Sequence, residues 1–171
     1  MGVSPSSIGT VSGIFKAYCT RVGSGPFPTE LNDQTGEDLR RLGFEFGATT
    51  GRPRRTGWLD LVALKYAVMV NGVDQLIMMK ADVLDTMDMI KIAVAYKVDG
   101  EITEQIPYDT FAEIEPIYKE FKGWKRDLTK VTKEDDLPYE FMNYVRFIEK
   151  ETGIPISIIS LGPDREQTII R

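Results

Sequence analysis

The sequence predicts an α/β fold, and three features carry that prediction. Short apolar runs of strand length at 75–80, 90–98 and 155–161 alternate with longer stretches of helical period. An Asp99-Gly100 pair joins two alternating segments, which is a hairpin signal because both residues tolerate positive φ. With 171 residues, 42% of them apolar, the chain can bury one core, and no repeat, low-complexity tract or linker divides it. Residues 1–171 are therefore expected to form a single α/β unit.

Ser4-Pro5 followed by Ile8, Val11, Ile14 and Phe15 predicts a first helix, capped by serine and ending near Tyr18. The Gly/Pro-rich segment 22–28 cannot be a regular element. Thr35-Gly36-Glu37-Asp38 starts a short helix closed by Gly43, with its acids at the positive end of the dipole. Residues 58–70 have the length and composition of a buried helix that leaves through Asn71-Gly72. The run 75–80 is a strand, and 90–98 returns through 101–106 as a hairpin with one exposed face. Richer in charge and aromatic residues, 108–136 reads as short helices with a surface loop around 125–136. Pro138 opens a helix in which Phe141, Tyr144, Val145 and Ile148 share a face, ending at Gly153, and 155–161 is the last strand.

A formal charge of −5 disfavours a general nucleic-acid binder, which needs a basic face. The absence of histidine excludes serine–histidine and cysteine–histidine catalysis and removes the commonest general base. One cysteine, Cys19, forbids an internal disulfide and suits a reducing compartment, so the cytoplasm is the expected location. No apolar run approaches the roughly 20 residues of a membrane helix, and no membrane partner is expected.

Positive charge is nevertheless concentrated at 46–60, where Arg52, Arg54 and Arg55 stand among threonines and Gly47, Gly51 and Gly57. Such a loop suits an anion, since glycines allow close backbone approach and guanidinium forks match carboxylate or phosphate. Two predicted strands end in polar residues, and α/β sheets bind ligands beyond such ends. At the first, Lys80-Ala81-Asp82, a carboxylate can accept N1–H and N2–H₂ of guanine, a pattern adenine does not offer. At the second, Ser160-Leu161-Gly162-Pro163 presents a hydroxyl and a tight turn. Taken singly, each motif is also explained by a solvated turn. Asp82, Asp85 and Asp88 are spaced three apart but lack a cation-loop pattern, so no metal ligand and no catalytic residue is assigned.

In order along the chain, Thr20-Arg21-Val22-Gly23-Ser24-Gly25-Pro26-Phe27-Pro28-Thr29-Glu30, the arginine loop, Lys80-Ala81-Asp82 and Gly162-Pro163-Asp164-Arg165 resemble the adenylosuccinate synthetase family. The resemblance covers nearly the whole chain and none of the family's N-terminal half. It implies the C-terminal part of a mixed sheet related to the P-loop NTPases, with flanking helices. It further implies an enzyme that ligates IMP and L-aspartate to adenylosuccinate with GTP as co-substrate, in AMP biosynthesis. The loop Ala48, Thr49, Thr50, Gly51, Arg52, Pro53 and Arg54 would bind aspartate, with Arg52 also reaching the IMP ribose and Arg54 the GTP phosphates. The main chain of Val22 would pack on IMP, and Lys80, Ala81, Asp82, Ser160, Leu161 and Gly162 would hold guanine. Magnesium and a homodimer are expected of the complete enzyme, with the metal ligands, phosphate loop and catalytic aspartate and histidine outside this chain. The chain alone is accordingly expected to be inactive. The alternative is a non-catalytic nucleotide- or anion-binding module, or a regulatory remnant.

Overall fold

The computed structural model describes every residue except Met1, Val3, Pro5, Ser6 and 110–112. Its main sheet has the order β1–β5–β9–β10. The strands are β1 (Ser12–Lys16), β5 (Gln75–Met79), β9 (Ile156–Ser160) and β10 (Thr168–Ile170). The first three run parallel and β10 is antiparallel to β9. A second sheet is built on the long β6 (Met89–Val98). It pairs in parallel with β4 (Leu59–Asp60) and antiparallel with β7 (Glu101–Thr103) and β8 (Ile114–Lys122). A two-stranded ribbon joins β2 (Cys19–Arg21) to β3 (Arg55–Gly57). The helices are α1 (Gln34–Leu42), α2 (Leu61–Asn71) and α3 (Tyr139–Thr152).

Helix α3 supplies the centre of the core. Phe141, Tyr144, Val145 and Ile148, the face expected from their spacing, are all fully buried. They share one cluster with Leu76 and Met78 of β5, Ile156 and Ile159 of β9 and Ile90 and Ile92 of β6. Trp124 packs edge-on to Phe141 with ring centroids 4.9 Å apart, an arrangement aromatic quadrupoles favour. The Tyr144 hydroxyl donates to the Ala17 carbonyl at 2.6 Å, tying α3 to the end of β1.

The α/β class, α1, α3, the strands β5 and β9 and the Asp99-Gly100 hairpin follow the sequence. Asp99 and Gly100 have φ of 52° and 90°, as the turn requires. Three expectations do not hold. Residues 12–16 are a strand, not part of a helix. Gly13 lies in that run, and without a Cβ it lets Val73 and Leu76 close on the strand, a tertiary gain that helical spacing does not foretell. Pro5, the expected first position of that helix, lies outside the described residues.

The segment expected to form short helices and a surface loop after Tyr108 does form short 3₁₀ helices at Leu128–Lys130 and Glu134–Asp136, but it begins with β8, whose nine residues pair along β6. Its charged side chains are exposed on both faces, with Glu120 pairing Lys91 of β6 at 2.8 Å and Lys119 lying over the Phe147 ring of α3. Finally, α2 begins at Leu61, because Leu59 and Asp60 are drawn into the second sheet and Asp60 caps the helix by accepting from Ala63 N at 3.1 Å. Only Leu61 and Val62 are buried along it, whereas Tyr66, Met69 and Val70 are exposed. Among the described residues no helix is long and apolar enough to cross a membrane.

Candidate functional site

Because β1, β5 and β9 are parallel neighbours, their C-terminal ends lie side by side at one edge of the sheet. Lys16 ends β1, Lys80 follows β5 and Ser160 ends β9. Lys80 adopts φ 59°, a left-handed conformation uncommon for a residue with a Cβ, and begins a 3₁₀ turn over Ala81–Leu84. Lys80, Asp82, Ser160 and Gly162 line one cavity of about 540 Å³, with Gly43, Phe44 and Arg165 on its other sides. That volume lies within the range of small-molecule sites.

The two strand ends singled out in the sequence thus form one pocket. Ala81 and Leu161 are fully buried, so their side chains belong to the core and only their backbones border the turns. Ser160 Oγ donates to the Gly162 carbonyl at 3.1 Å, and Leu161 N donates to the Gln167 carbonyl at 2.8 Å, which fixes the second turn. Burial raises the Asp82 carboxyl above its ordinary range, against the pull of N–H groups in its own turn and of Lys80. A ligand donating to that carboxylate would relieve the same penalty.

The arginine loop projects from the end of α1. Arg54 N donates to the Glu45 carbonyl at 2.9 Å and Gly47 N to the Arg52 carbonyl at 2.8 Å, and Gly51, at φ 64°, turns the tip. Ala48, Thr49, Thr50, Gly51, Arg52 and Pro53 are all exposed there. Arg52 makes no side-chain hydrogen bond or ion pair among the described residues. Arg54 differs: its NH1 donates to Glu45 Oε2 at 2.8 Å, while its Nε is buried and finds no acceptor among them. Arg55 is turned away from both. Its guanidinium forks onto Glu30 through Nε at 2.7 Å and donates from NH1 to the carbonyls of Gly23 at 3.2 Å and Gly25 at 2.9 Å. It thereby fastens the Gly/Pro-rich segment, from which Val22 stands 79% exposed.

Glu45 is the residue that the sequence did not single out. Wholly buried, it accepts from Lys16 Nζ at 2.7 Å, Tyr18 OH at 2.6 Å and Lys80 Nζ at 2.9 Å on one oxygen, and from Arg54 on the other. Burial alone would raise its carboxyl, but these four donors outweigh burial and hold it down at about 2. Nothing in the local sequence marks it, since a lone acid between Phe44 and Phe46 has no motif. The acids that follow Asp82 are otherwise occupied. Asp85 accepts from Trp124 Nε1 at 2.7 Å and Leu128 N at 2.8 Å, and Asp88 pairs with Lys125.

The family model for adenylosuccinate synthetase matches residues 1–169. An adenylosuccinate synthetase of Parabacteroides distasonis is 63% identical over 171 residues, which is all of this chain and 40% of the relative. One of Bacteroides fragilis is 62% identical over the same coverage. Among solved structures, fully ligated adenylosuccinate synthetase from Plasmodium falciparum superposes with a TM-score of 0.94 at 40% identity, covering 99% of this chain and 42% of that one. The chain therefore spans about 40% of the length of the curated relatives it matches.

Proposed function

The chain belongs to the adenylosuccinate synthetase family, and on that premise we propose that these 171 residues are the guanine- and aspartate-binding portion of an enzyme that joins IMP to L-aspartate at the expense of GTP. The observation that carries this reading is the single cavity formed by Lys80, Asp82, Ser160 and Gly162 at adjacent strand ends. An ionised Asp82 accepts the N1–H and N2–H₂ of guanine, and the lysine stem borders the ring. Val22, exposed on a segment pinned by Arg55, offers its main chain to IMP.

Aspartate brings two carboxylates, and Thr49, Thr50, Arg52 and Arg54 supply hydroxyls and forked cations to meet them. Arg52 stands free at an exposed tip for that purpose and also serves the IMP ribose. The orphaned Nε of Arg54 is a donor in want of an acceptor, which an anionic ligand or the GTP phosphates would provide. In this reading, Ala48, Gly51 and Pro53 shape the tip, and Ala81 and Leu161 act through their backbones.

Magnesium accompanies GTP in the complete enzyme, but the residues here do not fit it. Asp85 and Asp88 are spent on Trp124, Leu128 and Lys125. The groups that move the phosphoryl group are assigned to the remainder of the enzyme, as is dimerisation. Phosphoryl transfer depends on positioned charge around the phosphates, so the 171 residues alone are inactive. A reducing, cytoplasmic setting fits the lone Cys19.

The test is a chimera in which this chain replaces the segment it matches in the Parabacteroides distasonis synthetase. Adenylosuccinate formation from IMP, aspartate and GTP by the chimera, and none by the 171 residues alone, is the expected pair of results. A folded chimera without turnover would contradict the proposal.

A further inference from the structure

We propose that Glu45 is a positioning residue that locks the aspartate-loop arginine and the base-pocket lysine to one rigid carboxylate, so that both subsites are preorganised by the same group. This rests on the function proposed above and extends it to a residue that touches neither ligand. Glu45 has no exposed surface, and its two oxygens divide their work. Oε2 takes Arg54 at 2.8 Å, while Oε1 takes Lys80 at 2.9 Å together with Lys16 at 2.7 Å and the Tyr18 hydroxyl at 2.6 Å. The four donors come from β1 and the residues just after it, the return arm of the arginine loop and the end of β5, so a single side chain ties three separate stretches of backbone.

Lys80 is the clearest case of a residue that needs such a hold. Its backbone is left-handed at φ 59°, and its ammonium is anchored at both Glu45 and the Gly43 carbonyl, the latter at 2.5 Å. Anchored there, the head is drawn to Glu45 while the residue borders the base cavity. Gly43 leaves room for the arrangement, since a Cβ there would lie 2.2 Å from the Tyr18 hydroxyl. Three cations around one carboxylate also leave two positive charges in excess, in a chain whose net charge is −5.

Steady-state kinetics of the chimera test the assignment. Glu45→Gln keeps the shape and removes the charge, freeing both Arg54 and Lys80. The KM values for aspartate and GTP should then rise together by about tenfold or more, the scale of a lost charge-assisted contact. Lys16→Met removes a donor that serves neither subsite and should change each KM by less than about twofold. A merely structural role would lower kcat through a smaller folded fraction and leave both KM values where they were.

If Glu45→Gln alone does not fold, the pair Lys16→Met with Glu45→Gln removes one uncompensated cation and is read in the same way. An active chimera whose aspartate and GTP KM values are unchanged by either variant would overturn the positioning role alone. A chimera inactive before any substitution would overturn the functional reading and this proposal with it.

Discussion

Arg52 and Arg55 stand three residues apart in one basic loop, and the structure places them differently. Arg55 forks onto Glu30, with Nε at 2.7 Å from one oxygen and NH2 at 2.5 Å from the other, and donates to two backbone carbonyls. Its guanidinium also lies 5.5 Å from the Phe27 ring centre. Arg55→Leu removes all of these and leaves Glu30 without a side-chain hydrogen bond among the described residues, with only the more distant charge of Arg40 near it. Charge-assisted hydrogen bonds contribute about 1.5–3 kcal/mol when buried. Here the side chains are 30% and 21% exposed, so solvent screening brings the whole loss to about 2–3 kcal/mol.

For a chain of this size that lowers the midpoint of thermal unfolding by about 5–10 °C. Arg52→Leu, at an exposed tip with no side-chain partner among the described residues, should change stability by less than about 0.5 kcal/mol. In the chimera, however, it should abolish most aspartate use. Urea unfolding and amide hydrogen exchange over 22–28 separate the two. Exchange should quicken in Arg55→Leu only. Equal melting of the two variants, or unchanged exchange in Arg55→Leu, would refute the division of labour.

Three further predictions concern the carboxylates. Glu45 titrates at about 2 in the fold against 4.5 ordinarily, so its stabilisation is fully present above pH 4.5 and is lost as pH falls toward 2. The displacement corresponds to about 3 kcal/mol. Wild-type stability should therefore decline relative to Glu45→Gln between pH 5 and pH 2, and parallel urea-unfolding curves over that range would contradict this. Burial acts in the opposite sense on Asp85, raised to about 6, whose ionisation weakens the fold as pH climbs from about 4 to 6. In the chimera, Asp82→Asn places a donor where guanine also has one, so use of GTP should fall relative to xanthosine triphosphate, which carries a second carbonyl. An unaltered GTP preference would remove Asp82 from the base pocket.

What could be read from the sequence depended on how local the signal was. Helix α3 was legible because Phe141, Tyr144, Val145 and Ile148 repeat at helical spacing between Pro138 and Gly153. The hairpin was legible because Asp99-Gly100 has its own turn chemistry. Strand β1 was not, since Ile8, Val11, Ile14 and Phe15 fit a helical stripe, and only pairing with β5, sixty residues on, decides otherwise.

Strand β8 was hidden by Lys119, Glu120 and Lys122, exposed charges that break the apolar alternation of a strand. The strand-end motifs at Lys80 and Ser160 pointed to one place because parallel strands end at one edge. Glu45 required the third dimension, since its partners lie at positions 16, 18, 54 and 80.

A paired titration decides whether the ends of β5 and β9 form the proposed guanine pocket. The 171-residue chain is titrated with GDP and, separately, with ADP to millimolar concentration while its amide resonances are followed by NMR. Saturable shifts are expected with GDP, centred on Lys80, Ala81, Asp82 and Ser160 to Gly162, and none with ADP. Equal shifts with both nucleotides, or shifts with GDP that leave those residues untouched, would contradict the proposed pocket.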